Sequence, residues 1–253
     1  MRRVSFALIL VFLVAYPWPS SAAAPDFPPL GDAKIAKIID GTTARLDDGR
    51  VLRLAGIDTP SRGALAARAK AALEELVAAP VVTLRSAGNP TDRQGRIVAQ
   101  LFVGTLWVQG ELLRRGFARV HSSADNRLGV APMLALERQA RRYHRGLWAD
   151  RGFAIRSAEE AADAAGSFQL VSFTIEGVAN SSGTIYLSAA ADRRQSFALS
   201  LTPAAVALCR EAGLDPAALD GKAVLARGFI DGTIHPTMAI THPEQIEILR
   251  RKK

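Results

Sequence analysis

Two arginines and one aspartate carry the chemistry that is legible in this chain. Arg53 and Asp58 stand in the run Arg53-Leu54-Ala55-Gly56-Ile57-Asp58-Thr59-Pro60-Ser61, and Arg96 closes Asp92-Arg93-Gln94-Gly95-Arg96. Guanidinium groups stay charged and grip phosphate through paired N–H donors, so Arg53 and Arg96 suit an anion site; surface or ion-paired arginines are the other reading. A regular strand would turn Arg53 and Asp58 to opposite faces, and Gly56 is where a bulge would bring both to one cleft. Taken alone, Asp58 reads as the carboxylate of an Asp-Thr-Pro turn. Ser61 reads as an N-cap for the segment that follows, and Thr42 as a turn hydroxyl. Asp92 either orders its loop or pairs with Arg93 or Arg96. His121 is a strand-end residue or a phosphate contact, and His144, His235 and His242 share no metal spacing. Cys209 is the single cysteine, which excludes an internal disulfide and a cysteine metal site.

The elements that must position these groups follow from hydrophobic period. Ala33 to Asp40, Ala44 to Leu46 and Val51 to Ile57 alternate as strands around the Asp48-Gly49 turn. Residues 64–79 place Leu65, Ala69, Leu73, Leu76 and Val77 on one helical face. Val81 to Arg85 and Arg96 to Val103 predict two more strands, joined by a loop containing Gly88, Asn89-Pro90, Asp92 and Gly95. A helix over Val108 to Arg115, an extended Phe117 to His121 and a helix from about Met133 complete a first domain. This is a small five-stranded barrel with about three helices. Residues 151–165 read as a linker. From Gly166 onward, strand patterns at Phe168 to Ile175, Tyr186-Leu187, Phe197 to Leu201, Val224 to Ile230 and Ile240 to Leu249, with a helix over Pro203 to Ala212, predict a second OB-like barrel. Its phenylalanines alternate as core residues would.

At the N-terminus, Arg2 and Arg3 precede an apolar run from Val4 to Tyr16 and small residues from Ser20 to Ala24. That pattern is a secretory signal, with cleavage expected after Ala23, and the run is shorter than the ~20 residues a membrane-spanning helix needs. The expected organisation is therefore a signal over 1–23, a first domain over 24–150, the linker, and a second domain over 166–253, in a periplasmic or secreted protein with no transmembrane segment after signal removal. The net charge of +8 is unevenly placed: residues 25–150 hold 19 Lys/Arg against 13 Asp/Glu, and residues 166–253 hold 9 against 8. A basic first domain suits nucleic acid or another anionic partner, or a solvated arginine-rich face. An apolar share of 49% excludes a disordered chain.

Ile39-Asp40-Gly41-Thr42-Thr43, the Arg53 to Ser61 run, the Asp92 to Arg96 run and Gly146-Leu147-Trp148 stand in an order and spacing that resemble the thermonuclease (staphylococcal nuclease-like) family, over about Ala33 to Trp148. The resemblance implies an OB-type fold and calcium-dependent cleavage of DNA and RNA phosphodiesters. It puts the calcium-binding carboxylates at positions 42 and 58, with Thr43 beside them, the general base at position 61, and the phosphate-contacting arginines at Arg53 and Arg96. This chain keeps Asp58, Arg53 and Arg96 but has Thr42 and Ser61 where carboxylates belong. Calcium affinity depends on the number of charged oxygen ligands, so a site with Asp58 as its one evident carboxylate holds the ion weakly. A general base contributes about 10² to 10⁴ in rate, and a serine hydroxyl cannot take a proton at neutral pH unaided. The family's nucleotide-contacting tyrosines are also missing from His121-Ser122-Ser123-Ala124. The second domain resembles OB-like modules appended to thermonuclease domains, notably at Gly221 to Gly228 and Thr241 to Glu247.

Three functions follow as expectations: an exported thermonuclease-like protein impaired in catalysis and retaining nucleic-acid or anion binding through Arg53 and Arg96; an active metal-dependent endonuclease; or an envelope scaffold or protein-interaction module. The second domain is expected to pack or to bind a protein partner rather than to serve as a nucleic-acid platform, since four of its nine positive residues lie in the Arg250 to Lys253 tail.

Overall fold

A computed structural model describes residues 25–191 and 196–249. The expected signal and the basic Arg250 to Lys253 tail lie outside the described residues. In the first half the strands are β1 (Pro29–Ala33), β2 (Ile35–Ile38), β3 (Thr43–Leu46), β4 (Val51–Leu54) and β5 (Ile57–Asp58), followed by helix α1 (Gly63–Leu76). Strands β6 (Val82–Thr91), β7 (Ile97–Val103) and β8 (Leu106–Trp107), helix α2 (Val108–Arg114), strand β9 (Arg119–Val120) and helix α3 (Val130–Arg142) complete it. The second half holds β10 (Phe168–Thr174), β11 (Gly177–Ser181), β12 (Thr184–Ser188), β13 (Ala198–Leu201), α4 (Pro203–Glu211), β14 (Ala223–Asp231), β15 (Thr237–Ile240) and β16 (Ile246–Ile248).

The mostly-β architecture agrees with the alternation, with one mixed sheet per half. Their strand orders are β1-β6-β7-β4-β3-β2, with β8 on β7, and β10-β14-β15-β13-β12-β11, with β16 on β14. Neither ladder closes on itself among the described residues, so the two expected barrels are open sheets, each carrying one parallel pair, β4–β7 and β13–β15. Strand β6 extends through the segment expected to be a loop. Its register shifts between Ser86 and Thr91, and Gly88, at φ +138°, lets the chain pass so close to Asp125 O that an added Cβ would lie 2.0 Å from it. The anticipated Ile240 to Leu249 strand is divided, because His242-Pro243 opens a single 3-10 turn between β15 and β16.

Two apolar cores lie under these sheets. Leu52, Leu54, Leu73, Leu101, Leu112 and Met133 centre the first. The second contains Val171, Leu187, Phe197, Leu199, Val224 and Met238. Ala158, Ala161 and Ala164 of the expected linker pack into that second core as part of short 3-10 turns. Phe168, Phe173 and Phe197 are buried as their alternation predicts, but Phe229 is 57% exposed. It follows a run of buried residues in β14 and is exposed, as is Asp231, with buried Ile230 between them.

The two halves meet across a junction of mixed character. Ala140 and Trp148 of the first domain and Phe153 of the expected linker pack with Phe168, Leu170 and Leu225. Around that cluster, Arg227 on β14 reaches Glu137 on α3 (3.0 Å), Arg127 forks onto Glu244, and Ser122 Oγ shares a hydrogen bond with His242 Nε2 (2.7 Å). These bonds fix the second sheet against β9 and the loop that follows it. That loop forms one wall of the candidate site.

Candidate functional site

Arg53 reaches the site because β4 ends in a tight turn. Gly56 adopts φ +75°, a left-handed conformation that glycine takes freely, and the turn changes the facing of the residues after it. Arg53 Nη2 then donates to Ile57 O (3.1 Å) and lies 3.9 Å from Asp58 Oδ1. The side chain is 20% exposed, and burial lowers its pKa from the usual guanidinium value while Asp58 and Asp40 oppose the fall. Its Nη1 is buried with no hydrogen-bond partner.

Asp58 is held by a second arginine, Arg119, which no motif marks. Strands β5 and β9 pair Asp58 with Arg119. Arg119 Nη2 and Nε donate to Asp58 Oδ2 at 3.0 and 3.3 Å, and Arg119 Nη1 donates to Phe168 O of the second sheet at 2.9 Å. The Arg119 guanidinium also lies over the Phe168 ring, 4.5 Å from its centroid. The carboxylate expected to serve a metal is thus engaged with two cations, one of them anchored in the domain junction.

The remaining expected residues separate into two groups. Arg53 and Arg96 share an open cleft of about 290 Å³, whose walls include Gly56, His121, Ser122 and Asn126. Arg96 is steadied there by Asp92, which accepts from Arg96 Nε (2.7 Å) and from the backbone N–H groups of Gln94 and Arg96. Partial burial pushes the Asp92 carboxyl up, but those hydrogen bonds hold it below its ordinary value. Burial keeps the His121 imidazole below its usual pKa, against Asp58 and with Arg53 and Arg119, so it is mainly neutral near pH 7. Thr42, Thr43, Asp58 and Ser61 do not line this cleft.

Thr42 is buried, and both its N–H (2.8 Å) and its hydroxyl (3.0 Å) donate to Asp40 Oδ1. Thr43 is buried beside it, its carbonyl accepting from Ile39 and Asp40 N–H. Ser61 is exposed and does not cap the helix. Arg62 occupies the cap position without a side-chain bond, and Gly63, at φ +77°, starts the helix two residues past Ser61. Among the described residues, no group of three or more His, Cys, Asp or Glu side chains is gathered to hold a metal. The calcium that the family resemblance implies does not fit the positions assigned to it: the oxygens of Asp58 are paired with arginines, and the hydroxyl of Thr42 donates to Asp40.

Residues 51–150 match the family model of staphylococcal nuclease homologues. The first domain is thermonuclease-like. The matched stretch carries Arg53, Asp58, Ser61 and Arg96 on the thermonuclease-like domain, and it begins after Thr42 and Thr43. No curated protein matches the chain. Among the described residues, no helix is long and apolar enough to cross a membrane. Arg119 lies in the segment Phe117 to His121 that the sequence predicts as extended, but nothing in the sequence marks β5 as its partner strand.

Proposed function

We propose that this is an exported thermonuclease-like protein that binds a phosphate-bearing partner through Arg53 and Arg96 and is impaired in cutting it. One observation carries the reading: Asp58 is ion-paired with Arg119 and Arg53, and the two positions that should reinforce it are Thr42 and Ser61. A hard divalent ion needs several charged oxygens, and water attack on phosphorus needs a group able to take a proton. Asp58 alone, neutralised by cations, supplies neither. Calcium is at most a weakly held cofactor. The cationic cleft is a separate feature: Arg53 keeps an unpartnered donor, Arg96 is held in place by Asp92, and both face one opening.

Export rests on Arg2, Arg3, the apolar Val4 to Tyr16 run and the small residues before Ala24. Cell fractionation with N-terminal sequencing tests it, the expected mature end being Ala24. Cleavage of single-stranded DNA with calcium tests impairment. Turnover well below the ~1 to 10³ per second of ordinary enzymes is expected, and turnover within that range, lost in Asp58→Ala, would overturn the reading.

A further inference from the structure

Phe229 breaks the rule that the phenylalanines of the second sheet obey. Its cross-strand partner Phe168 is buried and meets it edge-on (centroids 5.6 Å apart, 83° between planes), while Phe229 itself stays 57% exposed. Both rings contact His121 of the first domain, at centroid distances of 4.6 Å for Phe168 and 5.9 Å for Phe229. His121 is in turn a wall of the cleft that holds Arg53 and Arg96. An exposed aromatic ring therefore stands one side chain, His121, away from a cationic cleft, and the two come from different domains.

That ring is placed firmly. Ser122–His242, Arg127–Glu244 and Arg227–Glu137 tie the cleft wall and α3 to the second sheet, so the spacing between Phe229 and the arginines is set by the fold before any ligand arrives. The first domain has no Tyr, Phe or Trp in His121-Ser122-Ser123-Ala124, and Phe229 stands next to that segment.

We propose that the second domain completes the ligand site of the first: Phe229 stacks a base of a single-stranded polynucleotide whose phosphates lie along Arg53 and Arg96. This rests on the anion-binding reading of the cleft. A positive groove beside an open aromatic face is the combination by which single strands are held without sequence readout. A duplex keeps its base faces stacked inside and offers nothing to Phe229. An acidic peptide engages the arginines and gains nothing from the ring.

The test uses the full mature protein and fluorescence anisotropy with labelled oligo(dT), oligo(U), an abasic deoxyribose-phosphate strand of equal length and poly-glutamate. The base-bearing strands are expected to bind more tightly than the abasic strand. Phe229→Ala weakens the base-bearing strands by about fivefold or more, the low end of single-base stacking, and leaves the abasic strand unchanged. Phe229→Tyr restores the affinity, and matched unfolding midpoints show that both variants are folded. Arg53→Ala with Arg96→Ala weakens all strands. Equal binding of abasic and base-bearing strands, or indifference to Phe229→Ala while the arginine variants still lose affinity, overturns the stacking role and leaves the anion reading intact. Poly-glutamate binding as tightly as oligo(dT), with no effect of Phe229→Ala, has the same meaning. Failure of every strand and of poly-glutamate to bind overturns both.

Discussion

Replacing Arg227 by methionine removes the cation at the centre of the domain junction while keeping much of the side chain's length. Arg227 is 1% exposed and Glu137 is fully buried, and Arg227 Nη1 lies 3.0 Å from Glu137 Oε2. The same guanidinium holds Glu247, and burial, which lowers the guanidinium pKa, is outweighed by these two carboxylates. Leaving a buried carboxylate without its cation is strongly destabilising, by about 3 to 5 kcal/mol. The lower end applies here, because Glu137 retains the Val120 N–H (2.6 Å) and Glu247 retains Arg138 (2.8 Å), with Arg141 at 3.8 Å from both. A loss of about 3 kcal/mol is therefore expected in urea unfolding followed by tryptophan fluorescence. Trp107 reports on the first core and Trp148 on the junction. The loss falls on docking, so the Trp148 signal should change at lower urea than the Trp107 signal. Adding Glu137→Gln should recover part of the loss by removing the stranded charge. An Arg227→Met protein within about 0.5 kcal/mol of the parent would refute the claim that this ion network fixes the two domains together.

Three further outcomes follow from the same geometry. Gly56→Ala forces a left-handed φ on a residue with a Cβ and presses that atom to 2.8 Å from Met133 Sδ, so stability should fall by at least about 1 kcal/mol, read as a lower urea midpoint. His242 is buried, and burial, opposed by Glu244 and assisted by Arg127, His121 and Arg227, pulls its imidazole down to about 4 from the ordinary 6.5. The unfolded chain thus takes up the proton first, and stability should drop as pH falls from about 6.5 towards 4, by up to about 3 kcal/mol; His242→Asn should flatten that slope in urea titrations. Arg119→Ala deletes the bonds to Asp58 and Phe168 O, and a loss of about 1.5 to 3 kcal/mol is expected by thermal or urea unfolding.

Local patterns revealed most of the elements and few of the contacts between them. Helix α1 and strands β3 and β4 lie where the 3.6- and 2-residue periods put them, because one face of each is more buried than the other, while β7, also where its apolar run puts it, is buried on both faces. Strand β6 ran past its expected end because the groups that receive it, Asp125 O among them, lie far along the chain. Arg53 and Arg96 could be proposed as a pair from residue type, and they do share a cleft. Arg119 could not, since its meeting with Asp58 depends on a two-residue ladder across 61 positions. Phe229 departs from the expected core for a related reason: strand alternation gives two faces but not which of them is covered at each point, and Phe229 is exposed between the buried Gly228 and Ile230.

Calcium-dependent cleavage of single-stranded DNA, measured side by side for the parent and for Thr42→Asp with Ser61→Glu, bears most directly on whether catalysis is impaired at those two positions. Little or no turnover by the parent is expected, with a gain of at least the ~10² that a positioned base supplies once both carboxylates are present. A parent that cuts as fast as the double variant would contradict the assignment of the lost chemistry to Thr42 and Ser61.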